Sequence, residues 1–526
     1  MNGFLTKHGQ PTLFMGLQTQ NSSTGDPELL AREIYAVQQM GGNLLEAPVY
    51  WYSVEPDKDR FQFDSVQNLI DLCRKAKLSL ILLWFATNKN GHPNYAPEYI
   101  KTEPETYHVA QACNGAHVAS LSPHCAQTLA RDQNAYCKLM GFLAEYDREE
   151  QTVVLVQVEN EIGLANTDRD YSPEAQAQYE VGVPECLLNV QLEDMGIVPS
   201  GTGWKSRFGR HAHEAFSAYY HALYVQQIAK AGKAVYALPM MLNVMIGEQG
   251  YEEAGASYSG GAAVGRVLDI YKIVAPDIDL ICPDMYIPER ERYLRVCERY
   301  TREDNALLIP ESPSLGIANA LNMMEAFARF GCIGMCYFGA NYMLDNHGNF
   351  LPDALELVYS MRAVTGVAPL LVKYRGTGKV HALVQQEFMD KQYLRLAHYH
   401  VEAKFISACS ERYGLGSRIN PQDPANDDIF TARGRALLIQ TDEHEFFLSG
   451  AGVKVEFIKR PNPEEEDSYA YLTSRQSGTL NFLSVEEGHF DGEDWVIDRY
   501  RNGDESNFEL FVHRGQTVRI RLNPKR

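Results

Sequence analysis

The residues best placed to do chemistry in this chain are carboxyls that end short apolar runs. Thr152-Val-Val-Leu-Val-Gln-Val158 leads into Glu159, Asn160 and Glu161, and Asn305-Ala-Leu-Leu-Ile-Pro310 leads into Glu311. A strand that apolar is covered on both faces, as in a parallel sheet. Carboxylates and an amide at its end cost desolvation, and function is what retains them. In a parallel α/β barrel that end of the strand is where the site lies. Two carboxyls across such a rim suit hydrolysis of a glycosidic bond. One keeps a proton and gives it to the leaving oxygen, and the other is ionised and attacks. Glu161 and Glu311 are the candidates for these roles. Glu159 reads as a structural hydrogen-bonding partner rather than a third acid.

Rigid elements must hold such groups, and up to about residue 370 apolar runs alternate with amphipathic segments. Strands are expected at 12–16, 43–49, 79–85, 152–158, 234–243, 279–283, 306–310 and 332–338. Helices are expected between them, among them 27–40, 63–77, 126–146 and 213–231. Asp64, three residues ahead of Gln67, resembles a capping box before the apolar face of Leu69, Ile70, Leu72 and Cys73. Eight such alternations predict an α/β fold, a (β/α)8 TIM barrel over residues 1–370. A doubly wound sheet would open on a glycine-rich phosphate turn. No GxGxxG or Walker stretch occurs, so nucleotide binding has no support. Two connections are long, 88–122 and 162–210. Both are expected to build a cleft or meet a partner subunit.

From residue 371 the texture changes. Residues 453–457 and 517–522 alternate polar and apolar, 436–440 and 445–448 flank a hairpin turn, and 461–467 is an acidic loop. Residues 371–526 are expected to form an all-β sandwich-like accessory domain without a catalytic cluster.

Bulk properties narrow the function. The 526 residues carry a formal net charge of -20, so nucleic acid and anionic membranes are poor partners. Nowhere is there an apolar run of about 18 residues, so no membrane span is expected. The first ten residues show no apolar stretch or cleavage site of a secretory leader. Cys282, Cys332 and Cys336 sit in core runs, which suits reduced thiols and a cytoplasmic setting. Cys113, Cys125 and Cys137 lack the close pairing of a zinc site, and no metal or organic cofactor is called for. The 30 Tyr and 22 Phe belong mostly to core, with some available for sugar faces. His92, His108 and His124 default to packing or solvent.

Several stretches, in order, carry a resemblance to a known family. They are Asn21–Ser23, Ala47–Trp51, Leu82–Phe85, Lys89–Gly91, Val156–Gly163, Leu238–Met240 with Asn243, Ala275–Asp279, Pro283–Tyr286, Ile309–Glu311, Ser449–Gly452 and Asn502–Glu505. The barrel resembles the clan A retaining glycosidases. More closely it looks like β-galactosidases of glycoside hydrolase family 35 or the related family 42, nearest the bacterial family 35 subgroup with a C-terminal β-domain. The resemblance implies a retaining exo-β-galactosidase acting on terminal galactosides of an oligosaccharide, with Glu161 as acid/base and Glu311 as nucleophile. It further implies that Asn160 bonds the sugar 2-hydroxyl, that Tyr286 touches the nucleophile, and that Tyr50, Trp84 and Asn243 line the pocket. A homodimer or trimer is implied as well. Gln18 stands where the subgroup usually has Glu, Glu46 replaces an apolar residue, and Tyr337 and Phe338 replace a Trp platform. These departures bear on which sugar is taken. The alternatives are another retaining β-glycosidase (β-glucosidase, α-L-arabinopyranosidase or mannanase) and a carbohydrate-binding barrel without turnover.

Overall fold

The computed structural model describes residues 3–192, 200–247, 253–387, 389–406, 433–460, 482–507 and 510–523. Eight parallel strands form its central sheet: β1 (Phe14–Gln18), β2 (Leu44–Tyr50), β3 (Ser79–Lys89), β4 (Val153–Asn160), β5 (Met240–Met245), β6 (Leu280–Asp284), β7 (Leu308–Ile309) and β8 (Gly334–Phe338). Their hydrogen-bonded order is β6-β5-β4-β3-β2-β1-β8-β7. Between β6 and β7 a side chain closes the ring. Asn305 donates from Nδ2 to the Ile281 carbonyl and accepts the Ile281 N–H at Oδ1, both at 2.9 Å. Pro310, which has no N–H to give a ladder, keeps β7 short. Gly16 lets β1 and β2 approach, because a Cβ there would lie 1.9 Å from the Leu44 carbonyl oxygen.

Helices follow the strands: α1 (Pro27–Gln39), α2 (Asp64–Lys75), α3 (Ala126–Tyr146), α4 (Ala212–Val235), α5 (Leu268–Val274), α6 (Arg290–Tyr300), α7 (Ile317–Phe330) and α8 (Pro352–Thr365). This is the TIM barrel. Asp26 caps α1, accepting the N–H groups of Glu28 and Leu29. The expected capping box at Asp64 does not form. Phe63 takes the cap position, and Asp64 lies inside the first turn, where its charge favours the helix N-terminus. The fifth strand begins at Met240 rather than 234, because α4 continues to Val235.

Strand parity sorts the core into two layers. Phe14, Leu44, Ile81, Leu83, Leu155, Met241, Cys282, Leu308 and Cys336 fill the barrel interior. Their strand neighbours Met15, Leu45, Leu82, Trp84, Val156 and Ile281 pack outward against the helices. Cys282, Cys332 and Cys336 are buried free thiols.

Beyond the barrel a short helix α9 (Ala368–Tyr374) leads into antiparallel sheets. One has six strands, in the order β9 (Val380–Val384), β12 (Arg435–Asp442), β13 (Glu445–Ala451), β18 (Gln516–Leu522), β15 (Phe482–Asp491) and β16 (Asp494–Tyr500). The other runs β10 (Lys391–Arg395), β11 (Tyr399–Phe405), β14 (Val453–Lys459), β17 (Phe511–Val512). The expected hairpin is β12–β13, with Asp442 paired to Glu445. Leu383, Tyr399, Val401, Leu438, Phe446 and Val518 belong to the core of these sheets. The expected acidic loop at 461–467 lies outside the described residues. Among the described residues no single helix is long and apolar enough to cross a membrane; α8 and α9 are apolar as a pair but bent by 58° at their junction.

Candidate active site

The inward parity that fills the barrel with apolar side chains turns polar toward the C-terminal rim. Gln18 on β1, Glu46 on β2, Asn243 on β5 and Asp284 on β6 share the faces of Gly16, Leu44, Met241 and Cys282, and all four are buried. On β4 regular alternation would point Glu159 inward and Asn160 outward. The backbone prevents this. Glu159 and Glu161 both take left-handed φ, 63° and 46°, next to an irregular register between β3 and β4. Each such residue costs about 1–3 kcal/mol, strain of the kind stored at functional sites. As a result Glu159 faces the outer layer, while Asn160 and Glu161 come into the barrel mouth.

There the carboxyls meet. Oxygens of Glu161, Asp284 and Glu311 all lie within 4.8 Å of one another. Glu311 is ringed by donors. Gln18 Nε2 reaches its Oε1 at 3.1 Å, Asn243 Nδ2 at 3.3 Å and Asn160 Nδ2 at 3.4 Å, and the Tyr286 hydroxyl reaches Oε2 at 3.0 Å. Such a spacing could admit a cation, but these N–H and O–H groups make Glu311 a hydrogen-bonded carboxylate. Glu161 accepts from the Asn90 amide, and its own backbone N–H donates to Asn243 Oδ1 at 2.9 Å. Burial, followed by the charge of Glu311, raises the Glu161 carboxyl to about 7; Lys89 and hydrogen bonds from Asp284 and Asn90 pull the other way. Burial and then the charge of Glu311 also push the Glu46 carboxyl well above the usual range.

Tyr50 stands at the end of β2, with its hydroxyl donating to the Asn21 carbonyl at 2.8 Å. Its ring stacks on Tyr95 and Tyr52, at 5.0 and 5.3 Å between centroids, forming an aromatic wall with Tyr52 exposed. Trp84 is not brought to this place. It lies on the outward face of β3, fully buried, and its indole N–H donates to Asp132 of α3 at 2.9 Å. Asp132 in turn hydrogen-bonds Glu159, which accepts from Thr87 Oγ1 at 2.7 Å and Asn88 N at 2.8 Å. Glu159 therefore belongs to the strand–helix interface. Cys113, Cys125 and Cys137 do not converge; the one close group of ligand-type side chains among the described residues is the carboxyl trio. His124 packs on Tyr220 and Phe216.

Asn90, Asp284 and the donor role of Gln18 were missed from sequence. Signals existed: Asn90-Gly91 is a pair suited to left-handed backbone, adopted here at φ 54° and 77°. Asp284 ends its strand in the same phase as Cys282.

Residues 21–194 match the family model described as Beta-galactosidase, glycoside hydrolase family 42. That stretch takes in β2, β3 and β4 of the barrel, with Glu161 inside it. Residues 358–513 match a model described as a domain of unknown function, DUF5597. No curated relative matches the chain in sequence. Among solved structures it is similar in fold to a β-galactosidase from Rahnella sp. R3, with TM-score 0.51 and 14% identity over 71% of this chain and 58% of that one. A β-galactosidase from Bacillus circulans sp. alkalophilus gives TM-score 0.51 and 12% identity, covering 69% and 57%. A family 42 β-galactosidase from G. stearothermophilus gives 0.50 and 12%, covering 69% and 59%. The chain thus spans less than two thirds of the length of these enzymes.

Proposed function

We propose that this chain is an exo-acting retaining β-galactosidase that removes terminal β-D-galactose from an oligosaccharide. One observation carries the reading: carboxyl oxygens of Glu161 and Glu311 lie within 4.8 Å. Retaining pairs are about 5–5.5 Å apart, and inverting pairs about 6.5–9.5 Å, to make room for water. Glu161, held protonated by burial and by its neighbour, gives its proton to the glycosidic oxygen as Glu311 attacks C1. The glycosyl ester that forms removes the charge of Glu311, so Glu161 ionises more readily and activates water for the second displacement. Asn160 offers its amide to the 2-hydroxyl, Tyr286 orients Glu311, Asn243 ties the two glutamates together, and Tyr50 supplies an apolar wall for the sugar ring.

The finer likeness to family 35 rests on the sequence stretches alone and is part of this proposal. So are a domain boundary near residue 370, a stabilising role for the C-terminal sheets, a dimeric or trimeric assembly and a cytoplasmic setting. A panel of nitrophenyl glycosides with NMR of the first-formed product tests the reading. The β-galactoside should be cleaved fastest and release β-galactose first. Preference for another glycoside would shift the sugar, and release of the α-anomer would remove the mechanism.

A further inference from the structure

We propose that Asp284 is a positioning residue, a carboxylic acid kept neutral whose O–H donates to Glu161 and stabilises the carboxylate that forms once the acid/base has given up its proton. This rests on the reading of Glu161 as acid/base and extends it. Asp284 ends β6 on the inward face, 1% exposed. Its Oδ2 accepts Asn243 Nδ2 at 2.9 Å. The orientation of that amide is set, because Asn243 Oδ1 is committed to the Glu161 N–H. The Asp284 carboxyl also hydrogen-bonds Glu161.

The groups facing this pair come from several strand ends around it. Glu311 follows β7, Lys89 ends β3, Asn243 lies on β5, and Cys282 shares β6. Glu46 faces Glu311 from β2, and Tyr286 lies two residues beyond Asp284. Lys89 is the one cation in that set, against three close carboxyls, so all three cannot be ionised together. Glu311 has four donors and is the group the site is built to keep charged. Among the described residues the Asp284 carboxyl has one donor, Asn243, and burial and the charge of Glu311 push it well above the usual range. A neutral Asp284 therefore has an O–H to give, and Glu161 is its acceptor. When Glu161 has delivered its proton, Asp284 and Asn90 together solvate the carboxylate that remains. Asp284 keeps its own proton throughout.

The test uses the full-length protein and the pH dependence of kcat/KM on aryl β-galactosides, for Asp284→Ala and Asp284→Asn. Losing a hydrogen bond to a charged group disfavours the ionised form, so Asp284→Ala should raise the basic limb by about one pH unit. It should also slow a deglycosylation-limited substrate about tenfold. Asp284→Asn can still accept from Asn243 and donate an amide N–H to Glu161, so it should return the basic limb toward that of the unmodified protein. If Asp284 works ionised, both variants should lower the basic limb, since a negative neighbour is gone. That result overturns the proposal, as does a limb unmoved in both variants. Infrared difference spectra between the unmodified protein and Asp284→Asn decide the point even if the alanine variant fails to fold. Loss of a protonated-carboxyl band supports the proposal, and loss of a carboxylate band alone contradicts it. Failure of the underlying reading appears elsewhere: a Glu161→Ala variant that loses no more on poor than on good leaving groups denies Glu161 its acid role.

Discussion

The Tyr286 hydroxyl donates to Oε2 of Glu311 at 3.0 Å, on the oxygen opposite the one shared by Gln18, Asn160 and Asn243. Glu311 is thus gripped from both sides by four groups, on β1, β4, β5 and just beyond β6. Burial, with Glu311 as the next cause, raises the Tyr286 phenol, so it stays a donor over the working pH range. Tyr286→Phe removes one hydrogen bond to a charged group. A kcat lowered about 10- to 100-fold is expected on nitrophenyl galactoside. An unchanged kcat would contradict the positioning role.

Trp84 gives the contrary case. Its indole N–H is one of Asp132's donors, beside the Tyr224 hydroxyl at 2.9 Å. Trp84→Phe should leave KM near its starting value and cost about 1–3 kcal/mol of stability, because a buried acceptor loses its partner. Thermal melting with steady-state kinetics checks this. A large KM change with an unchanged Tm would place Trp84 at the sugar after all.

The contrast between these two aromatic residues shows what was legible in the sequence. Apolar runs and helical spacing gave the barrel and its order, because burial on both faces leaves a plain compositional mark. The hairpin of β12 and β13 was readable for the same reason. The facing of individual side chains was less so. Trp84 falls on the outer face of β3 by parity alone, which a one-residue change in register would reverse. Glu159 and Asn160 swap faces because of a left-handed turn that no propensity signals for a glutamate. Asn305 substitutes for a missing ladder through tertiary contacts. Asp284 sits in the stretch Pro283–Tyr286 with nothing in the sequence to mark its role, because its partners are distant in sequence.

Glu33 on α1 links pH to stability. It accepts the Gln20 N–H and the Ser23 hydroxyl, each at 3.1 Å, and so holds the loop whose Asn21 carbonyl anchors Tyr50. Burial raises its carboxyl from an ordinary 4.5 to about 7. Between those values the folded state binds more protons than the unfolded, so this contribution weakens as pH rises and levels off above about 7. Glu33→Gln should flatten that slope and exceed the unmodified protein at pH about 8, by on the order of 1–3 kcal/mol. Denaturant unfolding at acid and alkaline pH reads it directly, and parallel curves would contradict the assignment.

Arg435 couples the C-terminal sheet to the barrel. Fully buried on β12, it donates from Nε to Ser360 Oγ of α8 at 2.8 Å and pairs with Glu356 on the same helix. Breaking a buried pair from one side costs about 3–5 kcal/mol. Arg435→Ala should therefore lower the melting temperature of barrel and sheet together. A variant whose barrel melts as before while the sheet alone is lost would show that the two are not coupled here.

Azide mapping tests the central claim most directly, since a small anion takes the place of whichever carboxylate is removed. With Glu311→Gly, azide on an activated β-galactoside should yield the α-galactosyl azide. With Glu161→Ala it should yield the β-galactosyl azide, formed by attack on the covalent intermediate. The reversed pair of products, or full turnover by either variant without azide, would contradict the roles assigned to the two glutamates.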